Sequence, residues 1–368
     1  MEKPLLCSYR SVILFFLPAF FILSLSHLLV GCQEKVKPPA RDIVKKKEVW
    51  EERTAKNLRQ YLEYAMENSG KLNDSLSVSH IRLLNSFYKQ NNFNLVWSQR
   101  GNSKYIGTKL FEFIKNSRYY GLFPDDYGLV KLEKIHQVVQ QDTNAINDAT
   151  LWVRNDLFLT DAFISLSKDL KQGRLAYDSV TLRKDTVLPD SLFLGLLSEV
   201  ISRNEVQQTL QELEPRNAAY DSIKSYLPAF LDSAKFVNHT VLIYPYTDSV
   251  RFFKRLQKRL YEDSLMPILY NKIDTNLLAR AIRRYQEKKG WRVTGRVSEA
   301  LVKSLNNTDL ERFKRIALNL DRYKLLPDTF PITYIWVNLP SYNLKLWDSG
   351  SIAFESKVIV GAAKTRTP

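Results

Sequence analysis

Cysteine is almost missing from this chain. Of 368 residues only Cys7 and Cys32 are cysteines, and both lie within or at the end of an apolar N-terminal run. Everything beyond residue 32 is thiol-free, which excludes a disulfide framework and a cysteine nucleophile there. Glycine is scarce too, at 12 residues. No Gly-rich loop of the dinucleotide-binding or P-loop kind occurs, which argues against a βαβ phosphate-binding enzyme and for a mostly helical body. His80, His136 and His239 follow the N-terminal run. They stand apart from one another, without metal-ligand spacing, and read as structural. Neither a Gly-x-Ser-x-Gly elbow nor a supported pair of carboxylates is present. No metal and no cofactor is expected.

What is there is ordinary globular material, 45% hydrophobic and 25% charged, long enough for two or three domains. The net charge of +15 and pI near 9.5 favour an acidic partner: nucleic acid, anionic lipid or a polyanionic wall polymer. Lys and Arg are scattered apart from Lys45–Lys47 and the stretch from Arg283 to Arg292. No zinc-finger or RNA-binding signature accompanies them, so nucleic acid is not expected as a partner.

Residues 1–31 have the parts of an export signal: Lys3 and Arg10, then an apolar run from Ser11 to Val30. Leu29-Val30-Gly31-Cys32 resembles the lipobox of bacterial lipoproteins. The resemblance implies cleavage before Cys32, lipid on its thiol and an acyl group on its amine, a stable membrane anchor. About twenty apolar residues can also span a bilayer uncleaved, although Pro18, Ser24 and Ser26 weaken that alternative. Gln33, rather than Asp, in the second mature position points to the outer membrane, facing the periplasm. Residues 32–52 read as the lipidated Cys and a tether, with Pro38-Pro39 and three lysines; the basic stretch could equally lie on anionic headgroups.

Residues 53–248 show helical periodicity. Leu58, Tyr61, Leu62 and Ala65 form one stripe, Ile81, Leu84, Phe87 and Tyr88 another. Leu110, Phe111, Phe113 and Ile114 precede a loop, and Leu157 to Leu166 run along a further helix closing at Gly173. Short strings here resemble the scaffold domain of large Gram-negative L,D-transpeptidases: Phe87-Tyr-Lys-Gln-Asn-Asn-Phe-Asn-Leu-Val-Trp97, Tyr120-Gly-Leu-Phe-Pro-Asp-Asp-Tyr127, Leu159-Thr-Asp-Ala162, Leu170-Lys-Gln-Gly-Arg174 and Glu214-Pro215 with Tyr220. Their shared order carries the resemblance. Each alone has a local explanation in loop or capping chemistry.

Residues 249–327 form a second unit, expected as three short helices around one small core. Ala281-Ile-Arg-Arg-Tyr-Gln286, Gly290-Trp-Arg-Val-Thr-Gly295-Arg-Val297, Leu301 and Leu305-Asn306 resemble the three-helix peptidoglycan-binding domain. Thr294 replaces that family's Asp, and both can accept a turn hydrogen bond. The resemblance implies possible peptidoglycan contact through Arg284, Trp291 and Arg292; an ordinary basic rim explains them equally. Asn319-Leu-Asp-Arg-Tyr-Lys-Leu-Leu-Pro327 resembles the link into an L,D-transpeptidase catalytic domain.

Residues 328–368 read as three strands: Tyr334 to Pro340, Tyr342 to Trp347 and Phe354 to Gly361, with a hairpin turn at Asp348-Ser-Gly350. They resemble the opening of that catalytic domain, the start of a β-sandwich that continues past Thr367-Pro368. The expected fold is thus mainly α, a helical scaffold and a small helical domain, followed by the first strands of an incomplete sandwich. The resemblance implies peptidoglycan L,D-transpeptidation in the complete protein: a Cys thioester, resolved by a neighbouring stem's amine into a 3→3 cross-link. The nucleophile is expected beyond Pro368, so this chain as given should be inactive. The competing expectation is a lipid-anchored, non-catalytic protein that tethers the membrane to peptidoglycan.

Overall fold

The computed structural model of the protein describes residues 37–175, 187–327 and 329–361. The expected signal and Cys32 lie outside the described residues, as do Lys364–Pro368. Among the described residues no helix is long and apolar enough to cross a membrane.

The body is helical and built around one axis. α1 (Trp50–Glu67), α2 (Ile81–Gln90), α3 (Tyr105–Lys115) and α4 (Leu129–Gln141) surround α5 (Ala149–Gln172). At 1.5 Å per residue, the 24 residues of α5 extend about 36 Å. Their buried positions go round the whole helix, because neighbours cover every side: α1 to α4, then α7 (Val206–Gln211), which follows α6 (Asp190–Arg203). Asp148 caps its start, accepting from Thr150 N at 3.1 Å and Leu151 N at 3.4 Å. Gly173, with φ 73°, closes its end. Residues 37–48, expected as tether, lie along this body. Tyr61 OH donates to Pro39 O at 2.8 Å, and Val44 is buried in the core.

Short helices α8 (Ala218–Ser225) and α9 (Leu227–Ser233) lead to a smaller unit. There α10 (Ser249–Glu262), α11 (Thr275–Lys288) and α12 (Glu299–Asn306) bury Leu256, Leu260, Leu278, Ile282, Leu301 and Leu305 in a core of their own. Gln286 pins the connector between α11 and α12. Its Oε1 accepts from Thr294 N and Gly295 N at 2.8 and 2.9 Å, and its Nε2 donates to Thr294 Oγ1 at 3.0 Å. Thr294 Oγ1 also accepts from Arg296 N at 3.3 Å, the turn bond foreseen for it.

The next helix, α13 (Asp309–Lys324), leaves that small core. Its Phe313 and Leu320 are buried with Tyr220 and Leu227 in a third cluster. Phe313 meets Phe123 and Phe236 edge-on at 5.1 and 5.4 Å. Residues 249–327 therefore divide between two cores, and the last helix of the stretch packs on the first body.

Besides the short pair β1 (Ser98–Gln99) and β2 (Asn102–Ser103), the described strands form one antiparallel sheet of β3 (Thr333–Asn338), β4 (Asn343–Asp348) and β5 (Ser351–Lys357). Ser349 and Gly350, with φ 48° and 79°, make the mirror-image turn whose twist suits a hairpin. Register puts Tyr334, Trp336, Asn338, Asn343, Lys345 and Trp347 on one face. Ile335, Val337, Leu344, Leu346 and Phe354 take the other, where Ile335 is 63% exposed and Phe354 56%. The alternation that continues through Val358 and Val360 is not used. Tyr342 is left-handed, φ 53°, so β4 offers no further partner and the ladder ends with Val358 N on Tyr342 O at 2.9 Å.

Inside the body, Asp156 is fully buried yet serves three donors: Val96 N, Trp97 N and Tyr88 OH, at 2.8, 2.8 and 2.7 Å. Burial raises its pKa against the lowering effect of these donors. Thr160 Oγ1 joins the set, accepting from Trp97 Nε1 at 2.8 Å. We expect Asp156→Asn to destabilise the fold by about 1–3 kcal/mol, because the amide leaves one buried backbone N–H unpaired. Urea unfolding with an unchanged slope checks this, and an unshifted midpoint would contradict it.

Candidate functional site

The strings singled out in the sequence fall into separate groups in space. Tyr88, Val96 and Trp97 of the first meet Asp156 and Thr160 of α5 in the buried set just described. Three more, Tyr120–Tyr127, Leu170–Arg174 and Glu214 with Tyr220, gather around α13, while the 281–306 string stays in the small unit. Arg174 Nε donates to Asp321 Oδ2 at 2.9 Å, its Nη2 donates to Gly121 O at 3.1 Å, and its Nη1 lies 3.6 Å from Asp126. Lys324 Nζ donates to Asp321 Oδ1 at 3.1 Å and to Asp169 O at 2.9 Å, while Tyr127 OH donates to Asp169 Oδ2 at 2.8 Å. Asp321 and Lys324 are each only 2% exposed. Burial lowers the Lys324 pKa and Asp321 opposes that shift; burial likewise raises Asp169 and Tyr127. Gly121, at φ 70°, is required here, since a Cβ would stand 2.6 Å from Leu320 Cδ1. Nearby, Glu214 Oε1 accepts from Tyr220 OH at 2.5 Å and Glu214 Oε2 from Lys224, whose ammonium lies 4.5 Å from the Tyr120 ring centroid.

This group holds α13, and α13 leads directly into the sheet. The polar face of β3 and β4 thereby comes to stand over the start of α8. A cleft of about 490 Å³ lies between them, lined by Tyr323, Phe330, Tyr334, Trp336 and Trp347 with Asn217, Asn338, Asn343 and Lys345. Tyr334 and Trp347 are parallel within 6°, their centroids 6.0 Å apart, and Phe330 stacks on Tyr334 at 4.8 Å. Asn343 donates to Glu355 Oε1 at 2.7 Å, while its own Oδ1 is buried without a hydrogen-bond partner. Flat aromatic faces beside amide groups suit a ligand that is apolar on one side and rich in hydroxyls or amides on its edge.

Sequence reasoning named Arg284, Trp291 and Arg292 instead. All three are exposed, with Trp291 at 37% and edge-on to Tyr285 at 6.2 Å. Neither arginine has an ion pair among the described residues. They sit on the small unit and line none of the clefts described. The histidines remain apart. His80 Nδ1 lies 3.0 Å from Asp161 Oδ1, which also accepts from His80 N at 2.8 Å. His136 stacks on Phe111 at 4.4 Å, and burial, helped by Lys115, lowers its pKa. His239 Nε2 lies 3.6 Å from Asp263. Among the described residues no group of three or more His, Cys, Asp or Glu is placed to hold a metal ion. The aromatic cleft was missed; its only sequence signal was the alternation of Tyr334 and Trp336 against Lys345 and Trp347.

Comparison with known proteins bears on this arrangement. Residues 82–227 match the Scaffold domain. The match takes in the Asp156 set and both Asp126 and Arg174, whereas Asp321 and Lys324 come from outside it. Over 55 residues the chain is 40% identical to a Haemophilus influenzae (strain ATCC 51907 / DSM 11121 / KW20 / Rd) protein named "Putative L,D-transpeptidase". That stretch is 15% of this chain and 11% of the relative's length. The region that matches the Scaffold domain thus supplies Arg174, and α13 brings both Asp321 and Lys324 to it.

This charge group makes an asymmetric prediction. Asp321→Asn strands the Lys324 ammonium in a buried site and should cost about 3–5 kcal/mol. Lys324→Met leaves Asp321 its Arg174 partner and should cost clearly less. Equal losses in chemical denaturation would contradict this assignment.

Proposed function

We propose that this chain is the anchoring, scaffolding and wall-engaging part of a peptidoglycan L,D-transpeptidase. What supports the reading is that three of the strings, Tyr120–Tyr127, Leu170–Arg174 and Asn319–Pro327, share one buried charge group around Asp321, within and beside the residues that match the Scaffold domain. The likeness to the Haemophilus influenzae protein supports the same substrate class.

In this reading residues 249–327 contribute a peptidoglycan-binding-like unit and residues 328–368 open the catalytic domain. Cys32 carries lipid and holds the protein at the periplasmic face of the outer membrane. The reaction proceeds through a thiolate that attacks a stem-peptide amide, with loss of the terminal residue, and an amine of a second stem then resolves the thioester. Residues 33–368 hold no cysteine, so in this reading they contribute wall binding rather than the reacting thiol. The excess of 54 Lys and Arg over 39 Asp and Glu suits a polyanionic polymer.

Co-sedimentation of the full chain with purified peptidoglycan sacculi tests the proposal. Saturable retention above that of a basic control protein is expected. Simultaneous Arg284→Ala, Trp291→Ala and Arg292→Ala substitution is expected to reduce it by severalfold without changing the unfolding temperature. Retention no greater than the control would overturn the reading.

A further inference from the structure

The small helical unit carries most of the chain's positive charge. Residues 241–306 hold 14 Lys and Arg against 6 Asp and Glu, more than half of the net charge of +15. Four of these cations, Arg251, Lys254, Arg255 and Lys258, recur along α10 at i, i+3, i+4 and i+7 and so share one side of it. Phe252, Leu256 and Leu260 are buried on the other side. Arg251, Lys254 and Lys258 are exposed and have no ion pair among the described residues. The acids nearby are engaged within the protein. Asp248 caps α10 by accepting from Arg251 N at 2.9 Å, Glu262 accepts from Thr240 N at 2.7 Å, and Asp263 pairs with Arg259 at 2.6 Å.

An apolar row borders these cations. Leu242 is buried, and Asn306 holds its backbone from both sides: Oδ1 accepts from Leu242 N at 3.0 Å, and Nδ2 donates to Leu242 O at 2.8 Å. The residues on either side of it face water instead, Val241 at 55% exposure and Ile243 at 71%. Arg255 ties the row to the helix, its Nε donating to Val241 O at 3.0 Å. Tyr246 stacks on Phe252 at 4.2 Å. Ile243 and Tyr246 then line one shallow groove together with Arg251 and Arg255. The apolar row is thus held in place by hydrogen bonds and stacking, yet nothing covers it among the described residues.

We infer that this face docks on an anionic lipid surface. Exposed apolar clusters rimmed by polar groups mark interaction sites, and here the rim is cationic. A polyanion bound by charge alone gives Val241 and Ile243 nothing to be buried against. A bilayer supplies both parts in the order required: headgroup phosphates for the cations and acyl chains beneath them for the row. The Lys and Arg stems are long enough to keep their charges at headgroup level while the row sinks further. Tyr244 and Tyr246 suit the same interface, where amphipathic rings collect. Arg284, Trp291 and Arg292 have no part in this surface, so the inference stands apart from the peptidoglycan reading.

Hydrogen exchange of the full chain on vesicles tests it. Vesicles of phosphatidylcholine alone are compared with vesicles of equimolar phosphatidylcholine and phosphatidylglycerol. The readout is local, so any attachment through the apolar N-terminal run, common to both, does not enter it. Amides of residues 241–250 should slow severalfold on the mixed vesicles only, and this protection should fade as salt is raised. Two variants change only exposed side chains and should fold normally: Arg251→Ala, Lys254→Ala, Lys258→Ala, and Val241→Ser, Ile243→Ser. Each should lose the protection. Absence of protection on the mixed vesicles, equal protection on both kinds, or protection kept by the triple variant would overturn the inference. Protection kept by the double variant would overturn it as well, and would assign the face to a polyanion held by charge alone.

Discussion

The arrangement depends on Asp321 being held between Arg174 and Lys324. Two of these groups are almost wholly buried, and removing charges from water is costly unless geometry and further hydrogen bonds compensate. Here they do. The carboxylate has a cation on each oxygen, and the ammonium has a backbone carbonyl as well. Such a group tolerates little displacement, so it fixes α13 against the end of α5. Apolar contact alone, between Phe313 or Leu320 and their neighbours, would permit sliding that this group forbids. The sheet begins at Thr333, with residues 325–332 between it and the end of α13, and its polar face lines the aromatic cleft together with Tyr323 of α13.

Much of the fold was legible. The stripes through α1, α2 and α5 are continuous and end at residues suited to ending helices. The Ser349-Gly350 turn falls where the sequence suggests, whereas the third strand runs Ser351–Lys357 rather than Phe354–Gly361. The family strings also had physical content: Tyr88, Trp97 and Thr160 appear in them because they surround Asp156, and Gln286 and Thr294 because they tie one connector. The residue that organises the first of these sets, Asp156, was itself not recognisable. An acidic residue in a helix normally faces water, and nothing local shows that two loop N–H groups sixty residues earlier will meet it.

The same limit explains the rest. Periodicity says that Phe313, Ala317 and Leu320 share a face, and gives no hint of which core receives it. That choice is made by Arg174 and Gly121, far away in the chain. Arg259 lies on a strongly amphipathic helix among other cations, so its burial could not be told from the pattern. The exposed Arg284, Trp291 and Arg292 were conspicuous because they lie inside a recognisable string, whereas clefts assemble from separate segments.

Together these features describe a larger helical body whose residues 82–227 match the Scaffold domain, a small helical unit, and a sheet that follows α13. The small unit precedes α13 in sequence without sharing a core with it, which leaves α13 as part of the larger helical body. Native-state hydrogen exchange tests this most directly. The amides of α13 should open with the same free energy as those at the end of α5, and separately from α10, α11 and α12. If α13 exchanges together with α10–α12 while α5 remains protected, the Asp321 group is not what binds α13 to the larger body, and the account fails.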